Sequence, residues 1–343
     1  MRVASLGAGF FGRFHLDAWR RIPAAEIVAL CERDADRAAR TAAEFGIPAT
    51  FDDIGAMLDA VKPDILDIAT PPPTHLTAIE AAAAHGVAAI CQKPFCGGLE
   101  AARQAVGIAK RAGVLLVVHE NFRFQPWYAE IKRRLDSGLL GEIYQATFRL
   151  RPGDGQGPDA YLGRQPYFRT MPRLLIHETA IHLIDVFRYL FGEAKSVYAS
   201  LARLNPAIAG EDAGIVLLDH SGGVRALFDG NRLADNAAKN PRLTMGEMTI
   251  EGSAGTLRLD GDGGVFHRAR GAKTETPLPF EWADAGPGGD SVRRFQDHVV
   301  RHMLDRTAPQ NTGEAYLANL EIEEAIYSSH AQGRKIGLAA VAG

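Results

Sequence analysis

The chain has 343 residues, of which 46% are hydrophobic and 23% charged, and its formal net charge is −3 at pH 7. This composition is that of a globular protein, the length favours two domains, and the absence of a basic run argues against nucleic-acid binding. The three cysteines, Cys31, Cys91 and Cys96, are too few and too irregularly spaced for a disulfide framework or a zinc site.

The amino terminus bears on where the protein resides. The first strand is predicted to begin at Met1 or Arg2, which leaves no room for a secretory signal. No stretch of roughly 18 uncharged apolar residues is present. We therefore expect a cytoplasmic protein with reduced thiols and no membrane partner.

The first predicted strand, MRVASL, is followed at once by a glycine-rich segment, Gly7-Ala8-Gly9-Phe10-Phe11-Gly12. This is G-x-G-x-x-G before a predicted helix. The first glycine permits a tight turn, the second lets the backbone approach a pyrophosphate, and the third lets helix and strand pack closely. The amino end of the helix would attract the phosphates.

A second predicted strand, Glu26–Cys31, ends at Glu32, about 20 residues after the last glycine. A carboxylate there can accept both ribose hydroxyls of NAD, and it repels a 2′-phosphate. The pattern predicts a nicotinamide dinucleotide site that takes NAD, while Arg33 leaves NADP open. A plain glycine turn with a solvated charge at the strand end is the structural alternative.

The first 120 residues alternate short apolar runs with alanine-rich stretches, which predicts βαβ units and a parallel sheet covered by helices on both faces. The predicted helices are 34–45, 53–60, 73–85 and 99–112, and the further strands are 65–69, 87–91 and 114–119. We expect a Rossmann domain with a doubly wound parallel sheet over residues 1–123.

The pattern changes after Phe122. The predicted elements are a helix at 126–137, a strand at 143–150, a polar loop at 151–169, a helix at 176–190, alternating strands at 196–204, 213–219, 223–228, 248–251 and 256–259, and helices at 291–304 and 313–332. They predict an α/β domain with a large mixed, mostly antiparallel sheet over residues 124–343.

Lys93 follows a predicted parallel strand, at the sheet edge where open α/β sheets bind ligands. A lysine beside a nicotinamide can donate to a substrate hydroxyl and stabilise a developing alkoxide. A solvated loop lysine is the alternative.

The helix at 176–190 carries His177, Glu178, His182 and Asp185. Two histidines five apart diverge by roughly 140° on an α-helix, so a zincin site is not expected and we predict no metal. Glu178, His182 and Asp185 share a helical face, and a histidine between two carboxylates suits a proton acceptor near neutral pH. A surface ion pair is the alternative, and His177 is expected to be structural.

These residues resemble the glucose–fructose oxidoreductase and inositol dehydrogenase family (Gfo/Idh/MocA) over nearly the whole chain. The matching segments, besides the glycine fingerprint and the helix, are Thr70-Pro71-Pro72-Pro73-Thr74-His75, Lys93-Pro94, Asn121-Phe122-Arg123 and Glu251-Gly252-x-x-Gly255. Three departures are present, at Gln92, at Glu178, and at Ala180, which replaces the glycine of the family's D-x-G-x-H. Where the family has E-K-P, this chain has Gln92-Lys93-Pro94. The loss of the glutamate's charge should let the lysine lose its proton more easily. The aspartate of the family's D-x-G-x-H is Glu178, and that leaves the role of this residue open.

The resemblance implies reversible, NAD(P)-dependent oxidation of a secondary hydroxyl of a sugar, polyol or cyclitol. His182 would be the general base, Lys93 would stabilise the alkoxide, and Glu178 would bind a neighbouring hydroxyl. Cofactor contacts would come from the glycine segment (Gly7, Gly9, Phe10, Phe11, Gly12) and from Glu32, Arg33, Thr70, Pro71, His75, Gln92 and Lys93.

Substrate contacts are expected from Arg123 and from the loop residues Tyr161, Arg164 and Tyr167, for which a solvent loop or a subunit contact is the alternative. The resemblance also implies that residues 124–343 bind the substrate and form the oligomer, a homodimer or homotetramer. Two other functions stay open: a hydrolase or epimerase that holds NAD tightly and oxidises its substrate transiently, and a non-catalytic dinucleotide sensor.

Overall fold

A computed structural model describes residues 1–339. The strands are β1 (Arg2–Leu6), β2 (Glu26–Cys31), β3 (Thr50–Phe51), β4 (Ile65–Ile68), β5 (Ala88–Gln92), β6 (Leu116–His119), β7 (Ile143–Leu150), β8 (Ala194–Ala202), β9 (Ala213–His220), β10 (Arg225–Asn231), β11 (Gly246–Gly252), β12 (Gly255–Leu259), β13 (Val265–Ala269), β14 (Thr276–Pro277) and β15 (Ile336–Gly337). The helices are α1 (Phe10–Arg20), α2 (Ala35–Phe45), α3 (Ile54–Val61), α4 (His75–Ala84), α5 (Leu99–Ala112), α6 (Pro126–Asp136), α7 (Ile181–Phe191), α8 (Pro287–Asp305) and α9 (Gly313–Gln332).

The chain divides into two compact units. The first comprises Met1–Asn121 and Ala285–Leu320, and the second comprises Phe122–Asp284 and the chain from Glu321 onward. The division after Asn121 lies two residues before the predicted one. Residues 285–320 differ from the prediction, because α8 packs against α1 and its Phe295 ring meets His119 at 4.4 Å.

The first unit contains a six-stranded parallel sheet in the order β3-β2-β1-β4-β5-β6. This is the doubly wound order, with its switch point between β1 and β4, and it confirms the predicted Rossmann sheet. Local signals set the helix ends. Asp34 and Asp53 cap α2 and α3 by accepting main-chain N–H bonds, and Gly46 closes α2 at φ +69°.

The second unit contains a nine-stranded sheet in the order β14-β13-β12-β11-β7-β10-β9-β8-β15. Only the β7–β10 pair is parallel among the pairs described, so the predicted mixed, mostly antiparallel sheet is confirmed. The short strands β13 to β15 were not predicted. Along β8 and β9, burial alternates from residue to residue, with one face of the sheet packed and the other carrying exposed side chains.

The predicted helix 176–190 is not α-helical throughout. Leu175–Ala180 form a π-helical segment, in which the Ile181 N–H reaches the carbonyl of Ile176, and α7 follows. Glu211, from a distant part of the sequence, holds the start of this π segment through its main chain and its side chain. The N–H groups of Leu175 and Ile176 donate to the carbonyl and to the carboxylate of Glu211 at 3.0 and 3.1 Å. Single π turns of this kind often mark functional sites.

Across residues 1–339, no helix has both the length and the apolar character that a membrane crossing requires.

Candidate active site

The glycine segment between β1 and α1 has the geometry that a pyrophosphate requires. Gly7 has φ +98°, and a Cβ there would lie 2.9 Å from Thr70 Cγ2. A Cβ on Gly12 would lie 2.7 Å from the carbonyl oxygen of Gly7, whereas one on Gly9 would meet nothing within 4 Å. Turn and packing therefore require the outer two glycines, and the open space beside Gly9 fits the close approach of a phosphate.

The helix α1 begins directly after Gly9, which has no side chain to cap it. Phe10 is 56% exposed at this end of the helix, while the Phe11 ring packs on Phe14 and His15 with centroid distances of 5.6 and 5.5 Å. The main-chain N–H groups of this first turn, rather than the two rings, are suited to meet an anion.

Glu32 lies at the carboxyl end of β2, next to the glycine segment. Its carboxylate accepts the N–H groups of Ala8 at 3.0 Å and Asp34 at 3.1 Å, and the Arg37 guanidinium at 2.9 Å. The bond from Arg37, together with the two main-chain bonds, lowers the pKa of Glu32 to about 2 despite partial burial. Arg33 is exposed, and the arginine that pairs with Glu32 is Arg37, in the first turn of α2, which was not predicted.

The segment after β4 supports the glycine turn. Thr70 touches the place where a Gly7 side chain would be and accepts from the Thr74 hydroxyl at 2.7 Å, and Pro71 is exposed. The His75 ring is fully buried; Nε2 lies 2.7 Å from the Thr70 carbonyl, and Nδ1 accepts from the Cys96 N–H at 3.3 Å. Burial lowers the pKa of His75. From sequence, we expected His75 to line the cofactor. We infer instead that this ring joins two loops.

Gln92 ends β5, and Lys93 follows with a half-buried side chain and a cis bond to Pro94. The Gln92 oxygen accepts the main-chain N–H of Lys93 at 2.6 Å, and the Gln92 amide nitrogen lies 2.9 Å from His15 Nε2. From sequence, we expected this amide to stand where the family has a carboxylate partner of the lysine ammonium group. The structure instead turns it inward, where the Gln92 side chain is 7% exposed and contacts His15.

In the second unit, His182 is the second residue of α7 and is 6% exposed. Its ring stacks on Phe122 with centroids 4.0 Å apart and an interplanar angle of 5°. This flat contact restricts the ring's rotation, so the aromatic residue before Arg123 positions the candidate base.

Arg123 forms a two-pronged ion pair with Asp185. Its Nε and Nη2 lie 2.8 and 2.7 Å from the two carboxylate oxygens, and the pair is almost fully buried. The guanidinium also lies 5.3 Å from the Tyr189 ring centroid. The Asp185 charge, which we expected to stabilise a protonated His182, also pairs with a guanidinium.

The loop residues predicted to bind substrate do not share one environment. Arg164 and Tyr167 are exposed, and the Tyr167 hydroxyl accepts from Gln165 at 3.0 Å. Tyr161 is 9% exposed, packs on Phe168 at 5.4 Å, and lies 3.1 Å from Arg232 Nε. This buried placement differs from the predicted sugar contact, because the hydroxyl bonds to a guanidinium inside the unit.

Arg232 is the functional candidate that the sequence analysis missed in this unit. Its side chain is 1% exposed and pairs with Asp154 at 2.7 Å. Its Nη1 donates to the Thr179 hydroxyl at 2.6 Å, within the π segment that carries Glu178. The only signal in the sequence is a charged residue directly after a buried strand.

No group of three or more His, Cys, Asp or Glu side chains arranged for a metal occurs within the described part of the chain, residues 1–339. His177 Nδ1 lies 2.7 Å from Glu323 Oε1, which fits a structural ion pair.

Comparison with known proteins identifies the family. The profile of an oxidoreductase family with an NAD-binding Rossmann fold matches residues 1–120, and that of the GFO/IDH/MocA C-terminal domain matches residues 128–258. A D-apiose dehydrogenase from Paraburkholderia graminis is 39% identical over 340 residues, which cover 98% of this chain and 89% of the relative. The chain belongs to the Gfo/Idh/MocA oxidoreductase family.

Two further relatives extend the similarity. A D-apiose dehydrogenase from Rhizobium rhizogenes is 32% identical over 348 residues, which cover 99% of this chain and 98% of the relative. A solved oxidoreductase from Agrobacterium radiobacter, in complex with NAD+, L-tartaric acid and magnesium, superposes with a TM-score of 0.88 at 32% identity, covering 98% of each chain. The predicted family and its dinucleotide-binding Rossmann fold are thereby confirmed.

Proposed function

We propose that this Gfo/Idh/MocA protein is an NAD-dependent dehydrogenase that oxidises a hydroxyl-bearing carbon of a sugar, and that D-apiose is the first sugar to test. The observation that carries the proposal is the similarity, over almost the whole chain, to two proteins named D-apiose dehydrogenase. The ionised Glu32 beside the glycine segment supports NAD over NADP, because a carboxylate repels a 2′-phosphate.

The chain's own residues would divide the work. His182, held flat by Phe122, takes the proton of the substrate hydroxyl. Lys93, whose main chain is anchored by Gln92, donates to the oxygen as negative charge develops on it. Glu178 and Arg123 are proposed to bind neighbouring hydroxyls, with Arg123 oriented by Asp185. A bound NAD would supply the hydride acceptor.

A direct assay tests this function. The purified protein is mixed with NAD or NADP and with D-apiose, other aldoses, inositols, uronates or glycosides, and NADH formation is followed by absorbance. We expect NADH with a sugar and a higher kcat/KM with NAD than with NADP. No NADH from any sugar, together with NAD released only on denaturation, would refute the dehydrogenase and favour the redox-assisted hydrolase or epimerase. No turnover and no tightly held NAD would favour a sensor.

We also propose a homodimer or homotetramer formed through the exposed face of the nine-stranded sheet. Tyr198, Leu217 and Leu227 are register partners across β8, β9 and β10 on this face, and Ile215 beside them is 49% exposed. Sedimentation of the wild type should show the oligomer, and Ile215→Lys should weaken it. The matched control is Leu304→Lys on α8, where the residue is 54% exposed. A monomeric wild type would refute this assembly.

For the location we propose the cytoplasm, where NAD is available and the buried thiols Cys31, Cys91 and Cys96 stay reduced. Cell fractionation with a compartment marker tests this.

A further inference from the structure

A chain of buried polar side chains lies below the carboxyl ends of β4 and β5. His15 of α1 and Asp67 of β4 have no exposed surface, and Gln92 of β5 is 7% exposed. His15 Nδ1 lies 2.9 Å from the nearer oxygen of Asp67, and His15 Nε2 lies 2.9 Å from the amide nitrogen of Gln92. The chain ends at the main-chain N–H of Lys93, which the Gln92 oxygen accepts at 2.6 Å.

The two ends of this chain determine where its protons lie. The Lys93 N–H can only donate, so the Gln92 atom that meets it is the oxygen, and the nitrogen of the same amide faces His15. That nitrogen donates, so His15 Nε2 carries no proton. At the other end, Asp67 accepts from Trp19 Nε1 at 2.6 Å and also from His15 Nδ1. His15 is therefore neutral, with its proton on Nδ1.

Any other arrangement places two donors face to face where water does not reach. A proton on Nε2 would oppose the Gln92 amide, and a flipped Gln92 would oppose the Lys93 N–H. Both are unfavourable in a buried network. The His15 ring is also fixed by packing, since it stacks on His119 at 4.0 Å and meets the edge of Phe11 at 5.5 Å.

We propose that Asp67, His15 and Gln92 form a positioning network that holds the main chain at Lys93, and that the glutamine at position 92 keeps His15 neutral. The proposal rests on the proposed catalytic role of Lys93. A glutamate at position 92 would still accept the Lys93 N–H, but it would present a second carboxylate to His15. The ring would then bridge two carboxylates as an imidazolium. An amide at position 92 therefore requires a His15 ring that carries a single proton.

The first test reads the protonation of His15 without any activity measurement. Protein labelled with nitrogen-15 in histidine is studied by NMR near neutral pH, and the His15→Gln variant identifies the His15 signals. We expect one protonated and one unprotonated ring nitrogen in the wild type, with the proton on Nδ1, and two protonated nitrogens in Gln92→Glu. A wild-type ring protonated on Nε2 or on both nitrogens would overturn the network.

The second test measures positioning through Lys93. Gln92→Met removes both side-chain bonds and should lower kcat about tenfold, the usual effect of losing a buried hydrogen bond, with a smaller change in the KM for the sugar. Gln92→Glu should recover much of that loss because it restores the bond to the Lys93 N–H. Gln104→Met, at an exposed position of α5, is the matched control.

A Gln92→Met variant with the kcat of Gln104→Met would overturn the positioning role. If no sugar is oxidised even by the wild type, the proposed function fails, and the NMR result still decides the network.

Discussion

Replacing Glu32 by glutamine should move the cofactor preference from NAD toward NADP. The substitution keeps an oxygen that can accept the Ala8 N–H but removes the negative charge. A hydrogen bond to a charged group contributes about 1.5–3 kcal/mol, so NAD binding should weaken roughly 10- to 100-fold. Arg37, which now bonds to the carboxylate at 2.9 Å, would lose that partner.

The same change should strengthen NADP binding. A carboxylate about 5 Å from a doubly charged 2′-phosphate opposes it by about 1.5 kcal/mol even at the dielectric constant of water, which is about tenfold in affinity. Gain and loss together should lower the preference for NAD by about 100-fold or more. Because Glu32 has a pKa of about 2, its carboxylate stays ionised from about pH 5 to pH 9, and its own titration should not change the wild-type preference there.

The assay is titration calorimetry of NADH and NADPH with the wild type and the variant. Glu80→Gln, at an exposed position of α4, controls for loss of a charge elsewhere in the same unit. Equal loss of affinity for both cofactors in Glu32→Gln would show that Glu32 does not contact the ribose, and the reasoning from its position would be refuted.

Four further predictions concern catalysis and stability. Lys93→Ala and His182→Asn should each lower kcat by about 100-fold or more, with NAD affinity changed only a few-fold; a large loss of NAD affinity in Lys93→Ala would make the lysine a cofactor ligand. Burial lowers the pKa of His220, so below about pH 6.5 the unfolded chain gains a proton that the folded chain does not, and the free energy of unfolding should fall as pH decreases. Urea unfolding of His220→Gln should show a flatter dependence of this free energy on pH, and the same dependence as in the wild type would contradict the prediction. Arg232→Met should cost about 3 kcal/mol in urea unfolding, because Asp154 loses its main partner, and adding Asp154→Asn should recover part of the loss; no recovery would argue against the pair.

The parts of the dinucleotide site that sequence could predict are those governed by local backbone rules. Gly7 and Gly12 are required by contacts within one βα unit, and Glu32 follows from the length of the second strand. The pairing of Arg37 with Glu32 was not predicted, because it depends on how α2 begins after Asp34, beyond the motif itself. Residues 285–320 belong to the first unit although more than 160 residues separate them from Asn121 in the sequence. Local sequence patterns do not predict contacts over such a separation.

The candidate base shows why residue spacing alone was insufficient in the second unit. The predicted face shared by Glu178, His182 and Asp185 assumed 3.6 residues per turn, but the segment before Ile181 is π-helical. The widened turn depends on Glu211, which accepts two main-chain N–H groups at its start, and on Arg232, which holds Thr179. Both lie far along the sequence. The identity of His182 as the candidate base could be read from sequence, whereas its orientation depends on residues that only the fold brings to it.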